Sequence, residues 1–391
     1  MPMNSELKPK IRFKGFTDDW EQRKLKDIYK FQYGEYNNNP DNGGIYPIYG
    51  ANGIIGGYTR YNTENSVIIG HMGEYAGSVL WGNGKVFVTY NGTISEPKDQ
   101  SFNSKFGYYM LFQKEINKIC AGSGLPFLSY EQLNKIDVSY PNLIKEQEDI
   151  SSLLTNIDNL ITLHQHKCDK LIELKKSLLG KMFPQNNSII PEIRFKGFTD
   201  DWEQRKLSDN LKNIQTGTNL LGSVDNLGTP LLKMGNIQRG YFTTDKLEFL
   251  KDYSSIEKEN IANFGDFFFN TRNTLELVGK GATWFGISGK YAFNSNIARF
   301  TFEGINTTFF NYLYNTESLL KQVHSRATGT TSVAAIYPQS LNTIEYMLPT
   351  YDEQSKIGNL LLDLDNLITL HQRKHDKLNK IKQSLLNDMF V

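Results

Sequence analysis

The amino-acid sequence predicts an α+β protein with two β-rich domains, each followed by a long helix, and with the two helices paired as an antiparallel coiled coil. Three observations support this prediction: an internal repeat, two unlike inserts rich in β-forming residues, and two long segments with helical periodicity. The chain has 391 residues, of which 39% are hydrophobic and 13% aromatic. This composition can fill more than one core and excludes a disordered chain.

The repeat consists of a frame that is written twice, which predicts a pseudo-two-fold molecule. Residues 11–25 and residues 193–207 both read IRFKGFTDDWEQRKL. Residues 158–165 and residues 365–372 both read DNLITLHQ. The similarity continues through residues 166–183 and 373–390.

Between the frames lie two inserts, residues 26–140 and 208–348, that share little sequence. We interpret this as one scaffold that presents two different surfaces, rather than as a recent duplication without functional meaning, because drift would blur frames and inserts alike. The predicted parts are a first variable domain (1–141), a first long helix (142–184), a linker (185–192), a second variable domain (193–349) and a second long helix (350–391).

Each long helix is predicted from a seam of mostly apolar residues at alternating spacings of three and four. The seam contains Ile157, Ile161, His164, Leu171 and Leu178 in the first helix, and Leu364, Ile368, His371, Leu378 and Leu385 in the second. Both helices are acidic in their first half and basic in their second half. A parallel pair would oppose like charges, so we predict an antiparallel pair.

The matching seam histidines, His164 and His371, are interpreted as polar positions that set the register of the coiled coil. The alternative is a metal site or a pH switch.

Short Ile, Val, Tyr and Phe runs between Gly and Asn turns predict the strands of both variable domains. Within them we predict a hairpin turn at Gly82–Gly84 and one helix per insert, at residues 105–120 and 307–326.

Several classes of protein are excluded. The formal net charge of +1 rules out a chain-wide electrostatic attraction to nucleic acid or membrane, so any such contact must be local. With no run of about 18 apolar residues and no apolar N-terminal segment, we expect a cytoplasmic protein that does not cross a membrane. Two cysteines and six scattered histidines form no metal or disulfide pattern. The sequence lacks phosphate-binding, nucleophile-elbow and methyltransferase loops, so we expect no catalytic residue, metal or cofactor in this chain.

The variable domains do contain side chains that can read DNA, since amides can bind adenine and arginine can bind guanine through paired hydrogen bonds. The candidates are Tyr49, Asn52, Tyr58, Arg60, Tyr90 and Asn91 in the first domain, and Lys233, Asn236, Arg239, Asn270, Arg272, Lys280, Asn296, Thr330 and Thr331 in the second. Arg272 and Asn236 are the leading candidates for base contacts, and Lys280 for a phosphate contact. For any single residue, the alternative is a structural role in a turn or at a strand edge.

Taken in order, these features resemble the specificity subunit of type I restriction-modification systems. The resemblance rests on the two IRFKGFTDDWEQRKL openings, on the helix after each variable domain, and on four further motifs. These motifs are PIYGANG (47–53), GDFFFNTRN (265–273), AFNSN (292–296) and TGTTSVAAIYPQSL (328–341).

The resemblance implies that each variable domain is a target-recognition domain for one half of a bipartite, asymmetric site in double-stranded DNA. It also implies that the helices dock two modification subunits, which are methyltransferases that use S-adenosylmethionine to methylate adenine. Restriction subunits, which are translocases and endonucleases that use ATP and Mg, would join this core, and the present chain would be non-catalytic. The alternative is a two-headed protein-binding scaffold with a coiled-coil spacer.

Overall fold

The computed structural model describes residues 7–36, 41, 43–120, 125–185, 188–225, 227–251 and 256–391. The chain forms two compact units: unit 1 contains Met1–His166 and Gln372–Val391, and unit 2 contains Lys167–His371. Each unit therefore combines one variable domain with a segment of each long helix.

Unit 1 is built around one six-stranded sheet with the order β2-β7-β5-β6-β3-β4, while β1 pairs with β8. Its strands are β1 (Glu21–Lys24), β2 (Tyr29–Tyr33), β3 (Tyr46–Gly50), β4 (Gly53–Tyr58), β5 (Thr63–Gly70), β6 (Val79–Val88), β7 (Gly92–Pro97) and β8 (Asp137–Tyr140). Its helices are α1 (Leu25–Ile28), α2 (Ser104–Gln113), α3 (Tyr130–Lys135) and the first part of the long helix α4 (Ile144–Lys181).

Unit 2 has smaller sheets with the orders β10-β18-β14-β16, β12-β11-β17-β13 and β15-β20-β19, and β21 pairs with β9. Its strands are β9 (Glu203–Lys206), β10 (Leu211–Thr216), β11 (Thr229–Leu232), β12 (Glu248–Leu250), β13 (Ile261–Ala262), β14 (Phe267–Asn270), β15 (Arg272–Asn273), β16 (Gly281–Thr283), β17 (Tyr291–Phe293), β18 (Ile297–Phe302), β19 (Thr328–Gly329), β20 (Ala334–Ala335) and β21 (Glu345–Leu348). Its helices are α5 (Leu207–Asn210), α6 (Thr307–Tyr314), α7 (Glu317–His324) and the first part of the long helix α8 (Tyr351–Met389).

The predicted α+β class and the two long helices are confirmed. The ten predicted seam residues are all described, and each of them is buried or half-buried. The described helices include none that is long and apolar enough to cross a membrane.

The predicted charge pairing of the helices is confirmed within each unit. In unit 1, Lys382 of α8 forms a salt bridge of 2.7 Å with Asp158 of α4. In unit 2, Lys175 of α4 forms a salt bridge of 2.5 Å with Asp365 of α8. In both units the basic half of one helix therefore meets the acidic half of the other, as an antiparallel pair requires.

The repeated frame has a structural role that the sequence did not reveal: it fastens each domain opening to the first turn of a long helix. The guanidinium of Arg12 donates two hydrogen bonds to Glu146, of 2.6 and 2.8 Å. Arg194 donates two hydrogen bonds of 2.7 Å to Glu353 in the same way. Both carboxylates are almost completely buried, so these ion pairs are part of the cores.

The residues that directly follow each long helix complete the core of one variable domain. In unit 1, Phe390 packs on Trp20 and on Phe106, with ring centroids 6.2 and 5.4 Å apart. In unit 2, Phe183 makes the matching contacts with Trp202 and with Phe309, at 6.4 and 5.5 Å. The Met-Phe ends of the repeat are thus core residues.

The hairpin predicted at Gly82–Gly84 was wrong, because these residues form a bulge inside β6. Opposite β5, the register passes from Glu64 paired with Lys85 to Ser66 paired with Gly82, so that Asn83 and Gly84 oppose the single residue Asn65. Gly84 has a φ of +66°, which glycine adopts without strain. Gly and Asn favour a bulge as readily as a turn, so the motif alone did not distinguish the two.

Each helix predicted within an insert is in fact interrupted. In the first domain, α2 ends at Gln113 and Glu115 adopts a left-handed φ of 47° before a short 3-10 helix (Ile116–Ile119). In the second domain, Thr316 caps α7 by accepting a hydrogen bond from the Leu319 N–H, which separates α7 from α6. A side-chain cap therefore overrode the helical periodicity in the second domain, and a left-handed residue did so in the first.

Candidate nucleic-acid interface

The two variable domains share one local architecture although their sequences differ. At the end of β5, the His71 N–H donates to the carbonyl of Asn91 at 2.7 Å. After β14, the Thr271 N–H donates to the carbonyl of Asn296 at 3.2 Å. His71 and Thr271 therefore occupy equivalent positions, and so do Asn91 and Asn296.

A third segment joins these two in the same register in both domains. The Leu128 N–H donates to the His71 carbonyl at 2.8 Å, and the Ile336 N–H donates to the Thr271 carbonyl at 3.0 Å. We call the three joined segments the candidate interface of each domain. It consists of residues 70–72, 90–91 and 125–128 in the first domain, and of residues 270–272, 295–296 and 330–336 in the second.

In the first domain, two sequence candidates lie in the candidate interface. Tyr90 is exposed, and its ring packs edge-on against His71 and Tyr33 at centroid distances of 5.5 and 5.7 Å. Asn91 is exposed beside it. His71 itself is buried, and its Nδ1 lies 2.8 Å from the Leu128 carbonyl. The histidine side chain therefore stabilises the interface from inside the domain.

The remaining candidates of the first domain lie next to this interface. Arg60 is paired with Glu35, whose carbonyl accepts a hydrogen bond of 3.0 Å from the Tyr90 N–H. Tyr58 lies with its ring 5.9 Å from the Arg60 guanidinium carbon. Tyr49 is half-buried and Asn52 is exposed in the turn between β3 and β4.

In the second domain, Arg272, Asn296, Thr330 and Thr331 come together. Arg272 pairs with Ala335 across β15 and β20. The threonines are exposed in the loop between β19 and β20, and the Thr331 carbonyl accepts a hydrogen bond of 3.1 Å from Leu275. Arg272 is exposed, and its guanidinium forms no hydrogen bond or ion pair with any residue that the structure describes.

Asn236 and Asn270 do not reach the surface. Asn236 accepts a hydrogen bond from the Lys233 N–H and donates to the carbonyls of Thr243 and Lys246, at 2.9, 3.0 and 3.1 Å. Asn270 is completely buried. The structure thus gives Asn236 the turn-forming role that was the alternative to a base contact.

Two basic candidates of the second domain, Lys280 and Arg239, lie close to each other beside the interface. Lys280 donates to the Gln238 side chain at 2.7 Å, and burial, then the nearby Arg239 charge, lowers the pKa of Lys280. Arg239 lies 3.3 Å from the His324 Nε2, and burial followed by this charge lowers the pKa of His324. Lys233 lies apart from them in a salt bridge of 2.6 Å with Glu248. An anion at Lys280 would relieve the repulsion from Arg239.

Sequence reasoning missed the apolar members of the candidate interface. Met72, Leu125 and Phe127 of the first domain expose 39%, 79% and 44% of their surface. Only polar and charged side chains have a chemistry that suggests hydrogen bonds to bases, so these apolar residues gave no such signal. Alternation along the strand after the buried His71 could have identified Met72 as pointing outward.

A comparison with known proteins identifies the architecture. The family model described as the type I restriction modification DNA specificity domain matches residues 17–173 and 199–380. The chain belongs to this family. It is therefore a specificity subunit of a type I restriction-modification system, as the resemblance had implied.

Individual relatives agree with the family. The type I restriction enzyme MjaVIII specificity subunit of Methanocaldococcus jannaschii is 24% identical over 95% of this chain and 92% of its own length. The putative MjaX specificity subunit of the same organism is 28% identical over 49% of this chain and 46% of its own length. The crystal structure of the type I restriction-modification S subunit from M. genitalium superimposes with a TM-score of 0.72 at 14% identity, covering 98% of this chain and 99% of that one. This similarity confirms the fold of the specificity subunit.

Within the described residues, no group of three or more histidine, cysteine or carboxylate side chains is arranged to hold a metal ion.

Proposed function

We propose that this specificity subunit reads a bipartite, asymmetric sequence in double-stranded DNA, with one half-site contacted by each variable domain through its candidate interface. The observation that carries the proposal is the convergence of independent candidates. The sequence alone predicts Tyr90 and Asn91 in one domain, and Arg272 and Asn296 in the other, as DNA-reading side chains. They lie on equivalent edges of equivalent folds. The target-recognition domains are then residues 1–141 and 193–349.

The chemistry of these residues suits direct readout of bases. Arg272 offers a free guanidinium on a paired strand, and arginine binds the O6 and N7 of guanine with two hydrogen bonds. Asn91 and Asn296 offer amides, which bind adenine in the same manner. Thr330 and Thr331, in the loop between β19 and β20, add hydroxyl groups to the same candidate interface. A different set of side chains in each domain would give two unlike half-sites.

Lys280 and Arg239 are proposed to contact phosphate rather than bases. Both are held by neighbouring residues beside the interface and carry like charges. A phosphate oxygen would offset this repulsion, and phosphate contacts fix register without reading sequence. Because the whole chain is nearly neutral, such local clusters must supply the electrostatic attraction to DNA.

We also propose that the long helices dock two modification subunits on two matching faces. Leu160 and Leu163 of α4, and their counterparts Leu367 and Leu370 of α8, each expose between 42% and 45% of their surface. The repeat is identical here even at exposed positions, whereas packing constrains only the seam. Identical exposed leucines on both helices favour two copies of the same partner, bound through apolar contacts.

Substitution of one leucine pair tests the docking proposal. The double variant Leu160→Ser/Leu163→Ser is expected to keep one modification subunit and lose the other, measured as the mass of the purified complex. The matched control is Ile172→Asn, which removes an equally exposed apolar side chain where the other copy of the repeat has Asn379. The control should retain both partners. A double variant that also retains both would contradict the proposed faces.

In this complex, S-adenosylmethionine is assigned to the modification subunits, and ATP with Mg²⁺ to the restriction subunits. The complex is expected to act in the cytoplasm.

The experiment for the recognition role is a methylation map of the host genome with and without this gene. We expect adenine methylation at one asymmetric, bipartite motif to disappear on deletion and to return when the gene is restored. A methylation pattern that is unchanged by deletion would contradict the proposal and favour the protein-binding scaffold.

A further inference from the structure

Met72 and Arg272 occupy the same position in the two variable domains. Met72 follows the buried His71 and forms an antiparallel bridge with Phe127. Arg272 follows the buried Thr271 and pairs in the same sense with Ala335. The neighbouring hydrogen bonds also match, since Leu128 and Ile336 donate to the residues before Met72 and Arg272. The equivalence rests on backbone geometry and needs no sequence similarity.

Both side chains are presented outward from a fixed backbone. Successive residues of an extended strand point to opposite sides, so a buried residue 71 or 271 directs its successor to the surface. Met72 is followed by Gly73, which has a φ of +83° and donates a hydrogen bond of 2.9 Å to the Pro126 carbonyl. Arg272 is held in β15 against β20. Each side chain therefore projects from a defined place in the interface.

The surroundings of the two side chains differ in polarity. Phe127, which pairs with Met72, is exposed, and so is Leu125 two residues before it. In the small sheet that contains Arg272, the exposed side chains include Thr330 and Thr331, in the loop between β19 and β20. Lys280 lies nearby, since its carbonyl accepts a hydrogen bond from the Asn270 N–H. Exposed apolar side chains grouped on one edge indicate a contact with an apolar partner surface.

We propose that residues 72 and 272 are equivalent specificity-determining positions, Met72 recognising the C5 methyl group of a thymine and Arg272 recognising a guanine. The inference rests on the proposed DNA-reading function and adds which base each position selects. In the major groove, thymine alone among the four bases presents a methyl group, and guanine presents two acceptors matched to a guanidinium. Leu125 and Phe127 enlarge the apolar surface against which the thymine methyl packs.

Exchange of the two side chains provides the test. The variants Met72→Arg and Arg272→Met are assembled with the modification subunits, and DNA is selected from libraries in which one half-site at a time is randomised. Met72→Arg should change the preference from thymine to guanine at one position of the first half-site. Arg272→Met should lose a guanine preference of roughly 5- to 150-fold at one position of the second. Leu143→Arg, which adds the same charge at an exposed apolar side chain outside the candidate interface, is the control and should retain the original motif.

Several outcomes would overturn the inference. Unchanged preferences in both exchange variants would remove positions 72 and 272 from base recognition. A change in the half-site of the other domain, or at several positions together, would exclude a one-residue, one-base contact. Met72→Ala removes the apolar contact without adding a charge, and an unchanged thymine preference in this variant would overturn the thymine assignment even if Met72→Arg binds no DNA. Failure of the underlying function is distinguishable, because the unmodified complex would then select no motif.

Discussion

Arg272 and Lys280 lie in the same domain but in different surroundings, and this difference decides what each can do with DNA. Arg272 is exposed on a paired strand and is free of partners among the described residues. Lys280 is half-buried, is held by Gln238, and has a lowered pKa because of burial and the nearby Arg239. The first arrangement suits a base edge, and the second suits a phosphate.

Arg272→Ala should relax one position of the second half-site and cost about 1–3 kcal/mol of binding to the preferred sequence, because two hydrogen bonds to one base are lost. The measurement is the affinity of the assembled complex for the preferred site and for its single-base variants. Arg205→Ala, at an exposed arginine of β9 that pairs with Glu203, is the control and should leave both affinities unchanged. Equal loss on every sequence would contradict a base contact.

Lys280→Ala should instead weaken binding to all sequences alike. A lost phosphate contact also reduces the slope of log affinity against log salt concentration, by about 1. The measurement is a salt titration on specific and non-specific DNA. A specificity change with an unaltered salt slope would assign Lys280 to base contact.

At the scale of elements, the repeated frame of each half is held to a long helix by a buried ion pair. The Arg194–Glu353 pair joins the repeated frame at the start of the second variable domain to the first turn of α8, and the Glu353 side chain is fully buried. The pair holds the pKa of Arg194 above its usual value, chiefly through its hydrogen bonds with Glu353. Some residues are therefore identical in the two frames because they form buried contacts that hold each domain to its helix.

Glu353→Ala should destabilise the protein by about 3–5 kcal/mol, because it leaves a largely buried guanidinium without its partner. The free energy of unfolding, from denaturant titration, measures the effect. The matched control is Glu317→Ala, since Glu317 lies in the first turn of α7 in an exposed pair with Lys321. It should cost under about 1 kcal/mol. Equal costs for the two variants would remove the proposed role of the frame.

Elements with long periodic patterns were predictable from sequence, whereas those decided by a few local contacts were not. The seam and the charge pattern gave α4, α8 and their antiparallel pairing, because dozens of residues contribute to each signal. The bulge at Gly84 depended on one hydrogen bond of 2.8 Å to the Asn65 side chain. The break between α6 and α7 depended on the Thr316 cap.

The candidate site was predictable only in part, because residue type is visible in the sequence and burial is not. Residue type predicts Arg272, Asn296, Thr330 and Thr331 as DNA-reading side chains, and all four lie in the segments that form the candidate interface of the second domain. Asn236 has the same chemistry but is buried, and burial depends on contacts with Thr243 and Lys246 that no local motif encodes. Met72 was not predicted as a base-reading residue, because its equivalence to Arg272 rests on backbone hydrogen bonds that the sequence does not show.

At the scale of the whole molecule, the two halves are built so that one can replace the other. The Met182-Phe183 end of α4 packs in the core of unit 2 as Met389-Phe390 of α8 packs in the core of unit 1. The salt bridges Lys175–Asp365 and Lys382–Asp158 are related by the same repeat. A half-molecule therefore carries both partners of every repeated contact.

The fragment of residues 1–183 should form a two-fold dimer in which Phe183 of each copy takes the place of Phe390 in the other. With two copies of the first domain, it should direct methylation to a palindromic site. Changing Lys167, Lys170, Lys175 and Lys176 to Glu should prevent dimerisation by opposing like charges. Light scattering measures the oligomeric state, and a folded monomer of the unmodified fragment would contradict the interchangeable-halves account.

The central claim, that each variable domain reads its own half-site, is tested most directly by exchanging residues 208–348 for the insert of another member of the family. The exchanged chain is expressed with its modification subunit, and methylated adenines are mapped across the host genome. We predict a new bipartite motif in which the half-site read by the first domain is retained and only the other half-site changes. A motif altered in both half-sites would contradict the claim.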